Sequence, residues 1–233
     1  MSGIYLYWEG DNRHWYYSLC LRSVHRHNPT ARLLSRQDVE AVIGTLPPEL
    51  DRVYVIHRVD WLRKKFVEAV GGLWLDMDFI CFRPLDSLVA LAKDFDYVSY
   101  REWPGNQMDN LFAARKGSPI LRDAAEYALE QVRRHGQDVA WLSTNADAIN
   151  HALKQNAWGF HLEISTHLIS PVTVMDPHWF CADLAPWENL DEFQCFGFIT
   201  SYHGLRGWLA SQTEEQFLNG RSRLAALFRR AFK

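Results

Sequence analysis

The stretch GGLWLDMDFICF, Gly71 to Phe82, sets Asp76 and Asp78 directly behind an apolar run. An ionised carboxylate among apolar side chains is costly unless something compensates it. Residues two apart on a strand share one face. The pair therefore has two readings: solvated carboxylates at a strand end, or convergent oxygen ligands for a hard divalent cation. In open α/β sheets, ligands gather at the carboxyl ends of the strands. The preceding helix, HRVDWLRKKFVEAVGG, adds more charge. Val59, Leu62, Phe66, Ala69 and Val70 form one apolar stripe. At about 100° per residue Arg63 falls inside that arc and Asp60 at its edge, whereas Lys64, Lys65 and Glu68 face away. A buried arginine needs a partner, and Asp60 lies one turn away. That pair either braces the helix or aims a polar constellation at a ligand beside the next strand.

The elements that must position these residues alternate between strand and helix. Ile4 to Trp8 reads as a first strand, and a helix runs from near Asn12 until Pro29 enforces a stop. Ala31 to Leu34 is a second strand, and Asp38 caps a short helix, DVEAVIG. A long helix spans about Arg52 to Val70, with Gly71-Gly72 as its left-handed exit. Leu73 to Phe82 reads as a strand around the aspartates, and Tyr97 to Arg101 and Leu111 to Ala114 as further strands. Ser118-Pro119 opens a strongly periodic helix that ends at Gly136. This alternation indicates an α/β fold with a mainly parallel central sheet. The aromatic last third, with HWFCADLAPWENL and CFGFITSYHGLRGW, is expected to be irregular and to wrap the domain. No repeat, low-complexity tract or Gly/Ser linker is evident, so a single domain over 1–233 is expected.

Bulk properties narrow the class. A formal charge of -3 gives no reason to expect a nucleic-acid binder. No apolar run approaches the roughly 20 residues needed to cross a bilayer, and MSGIYLYWEGDNRH lacks the pattern of a signal peptide. Cys20, Cys81, Cys181 and Cys195 are scattered, as reduced thiols of a cytoplasmic protein would be. The 10 Trp and 9 Tyr stand out: aromatics mostly fill cores, but a surplus also suits stacking on flat rings or sugar faces. Trp8 either packs or meets a nucleotide base, and Trp179, Phe180 and Trp187 either pack or line an acceptor groove. His25 and His27 sit at a helix's exposed end. In RSRLAALFRRAFK, Arg221, Arg223, Arg229, Arg230 and Lys233 alternate with Leu224, Leu227, Phe228 and Phe232. That tail either packs on the domain or touches the inner face of a membrane, which would suit a lipid-linked acceptor.

Taken together, RVDWLRKKFVEAVGGLWLDMDFICFRPLD resembles the core signature of DxD glycosyltransferases with sugar-binding-region homology. That group includes the yeast mannosyltransferase-like, capsular-polysaccharide and clostridial-toxin-type enzymes. DNLFAARKGSPIL resembles the family's asparagine-bearing strand and helix start, and SYHGLRGW its C-terminal block of a histidine and a tryptophan. YWEG resembles its aromatic-Trp-x-Gly opening. The resemblance implies a GT-A-type, Rossmann-like fold, a UDP- or GDP-sugar donor, and Mn²⁺ or Mg²⁺. It implies that Asp76 contacts the donor's ribose or sugar and Asp78 chelates the metal, with Asp76 and His203 completing that centre. Asp60 and Arg63 would bind the donor sugar and help hold the diphosphate, Asn110 would lie near the reacting carbon, and Trp8 and Trp208 would flank the donor. Members mostly retain anomeric configuration, and the acceptor would be a glycan, a lipid-linked sugar or a protein. Two departures stand out: STNADAIN replaces the family's Thr-Gly-Pro-like turn, leaving Asn145 and Asp147 without a role, and Tyr202 precedes His203 where the family often doubles the histidine. Two other readings compete. Haloacid-dehalogenase-like phosphohydrolases also place D-x-D after a strand, but near the N-terminus and before a small residue, whereas Phe79 follows here. A non-catalytic carbohydrate-binding module of the same fold would not need Asp60, Arg63, Asp76 and Asp78 intact.

Overall fold

A computed structural model describes residues 3–102, 106–157, 159–169 and 176–233. In chain order its regular elements begin with β1 (Gly3–Tyr7), α1 (Trp15–His27), β2 (Arg32–Leu34), α2 (Arg36–Ile43), α3 (Val55–Val70), β3 (Gly72–Leu75), β4 (Phe79–Cys81), α4 (Asp86–Leu91) and β5 (Tyr97–Glu102). They continue through β6 (Asn106–Gln107), β7 (Leu111–Ala114), α5 (Pro119–His135), α6 (Ala146–Gln155), β8 (His161–Ile164), α7 (Thr166–Ile169) and α8 (Pro177–Cys181). The chain ends with β9 (Gly197–Ile199), α9 (Tyr202–Ala210), α10 (Glu214–Leu218) and α11 (Arg223–Ala231). They fall into two compact units. One comprises Met1–Glu9, Arg32–Asp76 and Asp86–Ile164, the other Gly10–Ala31, Met77–Leu85 and Ser165–Lys233.

The first unit is built on a seven-stranded sheet in the order β2-β1-β3-β7-β5-β6, with β8 also paired to β5. β1 runs parallel to β2 and β3, and β5 parallel to β8. β7 lies antiparallel between β3 and β5. The α/β architecture expected from the alternating pattern is present, and α3 and α5 pack together over an apolar core of Leu62, Phe66, Trp74, Phe112, Leu121 and Ala124. The α3 exit depends on glycine. Gly71 has φ +70 and Gly72 φ +127, and a Cβ on Gly72 would stand 2.5 Å from the Gly3 carbonyl of the paired strand. Side chains avoid that backbone region and that space, so the turn from α3 into β3 needs both glycines. On α2, Ser35 is the N-cap and Asp38 closes the capping box from the third helical position, rather than being the cap itself.

One expected element is not continuous. Leu73 to Phe82 is two strands, and the break falls on the aspartates. β3 stops at Leu75, hemmed in by β1 and β7, whereas β4 begins at Phe79 and pairs antiparallel with β9 in a separate two-stranded sheet. The alternation that would put Asp76 and Asp78 on one face of one strand therefore does not apply.

The second unit surrounds the β4–β9 pair with α1 and short helices. Its core is aromatic: Tyr16, Phe180, Phe198, Phe217 and Phe228 are buried with Leu205, Leu224 and Leu227. The region from 176 onward is irregular mainly between 182 and 196, and α8 to α11 form the remainder. The basic tail has an internal account. Leu224, Leu227 and Phe228 are buried, and Arg223 pairs with Glu188 at 2.8 Å while Arg229 and Arg230 donate to main-chain carbonyls. Phe180 packs in this core, Trp179 stacks on Phe198 at 5.9 Å, and Trp187 is 85% exposed.

Candidate functional site

The candidate residues of the first unit converge where β3 ends. α3 supplies His57, Asp60, Arg63 and Lys64, the end of β3 supplies Trp74 and Asp76, the start of β7 supplies Asp109 and Asn110, and the turn before α6 supplies Thr144. Arg63 is the hub. Its Nη1 donates to both oxygens of Asp76 at 3.0 and 2.9 Å. Its Nη2 donates to Asp60 and Asp109, each at 2.6 Å, and its Nε to Asp109 at 3.2 Å. A guanidinium has five N–H donors, and these contacts engage all of them on three carboxylates.

The compensation extends outward. Lys64 donates to Asp109 and to the carbonyls of Asp60 and Thr144. The Thr144 hydroxyl donates to Asp60 at 2.7 Å, so its lone pair accepts from His57 Nδ1 at 2.8 Å, which fixes the imidazole with its proton on that nitrogen. The indole of Trp74 donates to Asp76 at 2.9 Å, and the Asp76 main-chain N–H donates to the Asn110 carbonyl at 2.8 Å. Asn110 itself accepts from the Tyr100 hydroxyl at 2.9 Å. Arg63 and Asp60 are thus buried and paired, as the helical arc indicated.

Lys64 corrects the helical reading. It is fully buried instead of facing away, because α3 is enclosed on nearly every side and has no continuous solvent face. Asp109, Thr144 and His57 were not singled out from the sequence, although Thr144 lies in the STNADAIN stretch that departs from the family pattern. One signal pointed to Asp109: like Asp76, it is an acid at the edge of a short apolar strand.

Burial and charge divide the carboxyls. Burial raises the Asp60 pKa to about 6, with the Arg63 charge opposing and the Asp109 charge adding. For Asp109, burial would raise the pKa, but Arg63 and Lys64 outweigh it and hold the carboxyl below its ordinary range. Burial pushes Lys64 and His57 down. Asp76 is also raised, by burial first, against the opposing charge of Arg63. Its side chain nevertheless keeps 29% of its surface exposed, where those of Asp60, Arg63 and Asp109 keep 1, 4 and 3%. That open surface decides access: Asp76 is the one acid of this cluster that a ligand can reach.

Trp8 stands at the same carboxyl end. It follows β1, which runs parallel to β3, and its N–H donates to the Leu34 carbonyl at 3.0 Å. Beside it Glu9 joins Arg58, at 2.6 Å, to the Tyr7 hydroxyl, at 3.0 Å, and Tyr7 stacks on Trp74.

The second unit holds the other predicted residues. Its Asp78 carboxylate accepts from the Tyr202 N–H at 3.3 Å, at the start of α9, and its carbonyl accepts from Thr200 N–H and Oγ1 at 3.1 and 2.8 Å. Those bonds place Asp78 at the first turn of the helix that carries His203 and Trp208. His203 is exposed there, while Trp208 is half-buried with its ring edge on Phe217 at 5.9 Å. Among the described residues, no three His, Cys, Asp or Glu side chains are gathered as a closed metal-ligand set.

No protein-family model matches the chain, and no curated protein does so either. Solved structures do. The PaToxG glycosyltransferase superposes with a TM-score of 0.50 and 17% identity over 68% of this chain and 70% of its own. The galactosyltransferase LgtC, in complex with donor and acceptor sugar analogs, gives 0.44 and 15% over 72% and 75%. The apo form of the glycosyltransferase GlyE of Streptococcus pneumoniae TIGR4 gives 0.48 and 13% over 72% and 46%. At such identities the likeness concerns architecture, and on the PaToxG superposition this chain has the GT-A-type α/β fold of a glycosyltransferase.

Proposed function

We propose that this chain is a metal-dependent glycosyltransferase that moves a sugar from a UDP- or GDP-sugar to a glycan, lipid-linked or protein acceptor. The observation that carries the reading is the Arg63 hub. A fully engaged guanidinium sits behind one reachable carboxylate, Asp76, at the carboxyl end of a strand in a sheet of glycosyltransferase type. A carboxylate held on one side by Arg63 and Trp74 keeps lone pairs for sugar or ribose hydroxyls. Asp60 and Arg63 then act chiefly by orienting Asp76, with Asn110 nearby as a polar neighbour of the reacting carbon. Trp8, at the same carboxyl end, would face the donor.

The residue types that the resemblance names, carboxylates above all, suit the chemistry of a hard divalent ion. Mg²⁺ typically takes one or two carboxylates and completes its sphere with water and substrate phosphates, so no closed protein cage is required. Asp78, with His203 in the same unit, would hold the ion. When bound, it would neutralise charge developing on the departing nucleoside diphosphate. Asp76 would bind and orient the donor, the Arg63 charge would oppose the rise that burial gives that carboxyl and direct it, and Asp60 would brace Arg63 from one turn earlier on α3. Among the described residues no acid is assigned as a base for the acceptor, and transfer with retention of configuration needs no such base.

The test is a panel of UDP- and GDP-sugars with Mn²⁺ and with chelator. Transfer or hydrolysis should occur for at least one donor, vanish with chelator, and fall sharply in Asp78→Asn. Failure of every donor, or an Asp78→Asn variant as active as the original, would sink the reading.

A further inference from the structure

The family pattern calls for an acid and an arginine on the helix. It does not account for the second buried ion pair, Lys64 with Asp109. Asp109 grips two of the three Arg63 nitrogens from the far edge of the guanidinium, and Asp76 takes the third. A planar guanidinium held at Nε and Nη2 has its Nη1 direction fixed. Asp60 shares Nη2 with Asp109 but makes only one contact, so it cannot set the plane alone. Asp109 adds a third carboxylate to two already around Arg63, and Lys64 supplies the second buried cation that compensates it. Lys64 is in turn fastened by two carbonyls, on α3 and before α6.

We propose that Asp109, backed by Lys64, is a positioning residue that holds Arg63 in plane so that Nη1 stays on both oxygens of Asp76. This rests on the glycosyltransferase reading for its catalytic consequence, but the geometric hold can be measured without it. Among the described residues, Lys64, His57 and Asp60 on α3, Thr144 before α6, Trp74 and Asp76 at the end of β3, Tyr97 on β5 and Asp109 before β7 are polar and charged groups that face Arg63 or its partners.

Three variants of the full chain test it: Asp109→Asn, Lys64→Met and the double variant. Turnover of the UDP- and GDP-sugar panel with Mn²⁺ should fall about 10–100-fold in kcat/KM for Asp109→Asn, since small misplacement of an orienting group has effects of that order. The double variant removes both charges and leaves no unpaired buried ion, so it should melt near the parent yet stay equally slow. The acid limb of the pH profile should move in opposite directions, down in Asp109→Asn and up in Lys64→Met, because the two charges act oppositely on Asp60. Those opposed shifts report the two charges on Asp60, whereas slow turnover beside a parent-like melting point in the double variant is what a merely structural role would not give. In the ligand-free protein, the Arg63 Nε–H resonance should be slowly exchanging in the parent and fast in both Asp109→Asn and the double variant.

Parent-like kcat/KM in the double variant, or an unchanged Arg63 Nε–H in it, would overturn the proposal. If the parent itself turns over no donor, the glycosyltransferase reading falls, and the Nε–H measurement alone then upholds or overturns the hold of Asp109 on Arg63.

Discussion

The two units close their interiors by opposite means. The first buries charge: Asp60, Arg63, Lys64 and Asp109 are 1, 3, 0 and 2% exposed within a shell of apolar residues. The second buries rings, with Phe198 set among Trp179, Phe180 and Phe193 at centroid distances of 5.9, 6.4 and 5.3 Å. Ring packing is weakly directional and loses stability in proportion to what is removed. An ionic cluster is directional, and removing one member strands the others in a low dielectric. Buried charge is a poor way to gain stability, since well-packed apolar residues do as well or better. Its presence at the end of β3 makes sense as the means of aiming a carboxylate.

The sharpest way to break this comparison is Arg63→Met. It leaves Asp60, Asp76 and Asp109 facing one another with only Lys64 for compensation. We expect donor turnover to vanish and stability to fall by about 3–5 kcal/mol in a denaturant titration at pH 7. Carboxyls without a cation protonate more readily, so lowering the pH towards about 5 should return part of that loss. A variant as stable as the parent at both pH values would mean that the cluster does not organise this unit. Phe198→Ala is the matched experiment in the second unit. It should cost about 3–5 kcal/mol as a truncated core aromatic, and no titratable group is stranded, so the loss should be the same at both pH values. A pH-dependent loss there would erase the distinction between the units.

Much of the first unit was legible from the sequence. Asp60 and Arg63 share the inward arc of α3, Gly71-Gly72 marks the turn, and the alternation of strands and helices gives the layered fold. The limits have physical causes. A helical wheel assumes one wet face, and α3 has none, so Lys64 was sent outward. Asp109 and Thr144 reach Arg63 and Asp60 from 46 and 84 positions away, and no local periodicity encodes such contacts. The break between β3 and β4 is set by which strand each half pairs with, β7 or β9, and the apolar run reads the same either way. His203 and Trp208 are named by resemblance alone, since nothing in the composition of the last third marks the start of α9.

A smaller effect separates the acids within the cluster. The Asp60 pKa is raised to about 6, so the folded chain binds this proton more readily than the unfolded one. By linkage, its contribution to stability is full below about pH 4 and is lost as pH rises through about 6. The catalytic consequence has the opposite sign, because only ionised Asp60 makes a charge-assisted bond to Arg63. Donor turnover should therefore decline as pH falls through about 6, and a carboxyl ¹³C titration should assign that midpoint to Asp60. An acid limb well below about 5 would mean that Asp60 does not control the hub.

The smallest expected change lies at the surface of the second unit. Trp187 is 85% exposed, unlike Trp179, which is stacked on Phe198 and covered by the Arg223 guanidinium at 5.4 Å. Removing a ring that touches little should alter stability by less than about 0.5 kcal/mol. If Trp187 serves as a stacking face for an acceptor sugar, as its exposure favours, Trp187→Ala should raise the acceptor KM while leaving donor hydrolysis unchanged. Equal effects on hydrolysis and transfer would remove Trp187 from the acceptor side. An exposed indole in a unit that covers its other indoles at least in part would then be left without a functional reason.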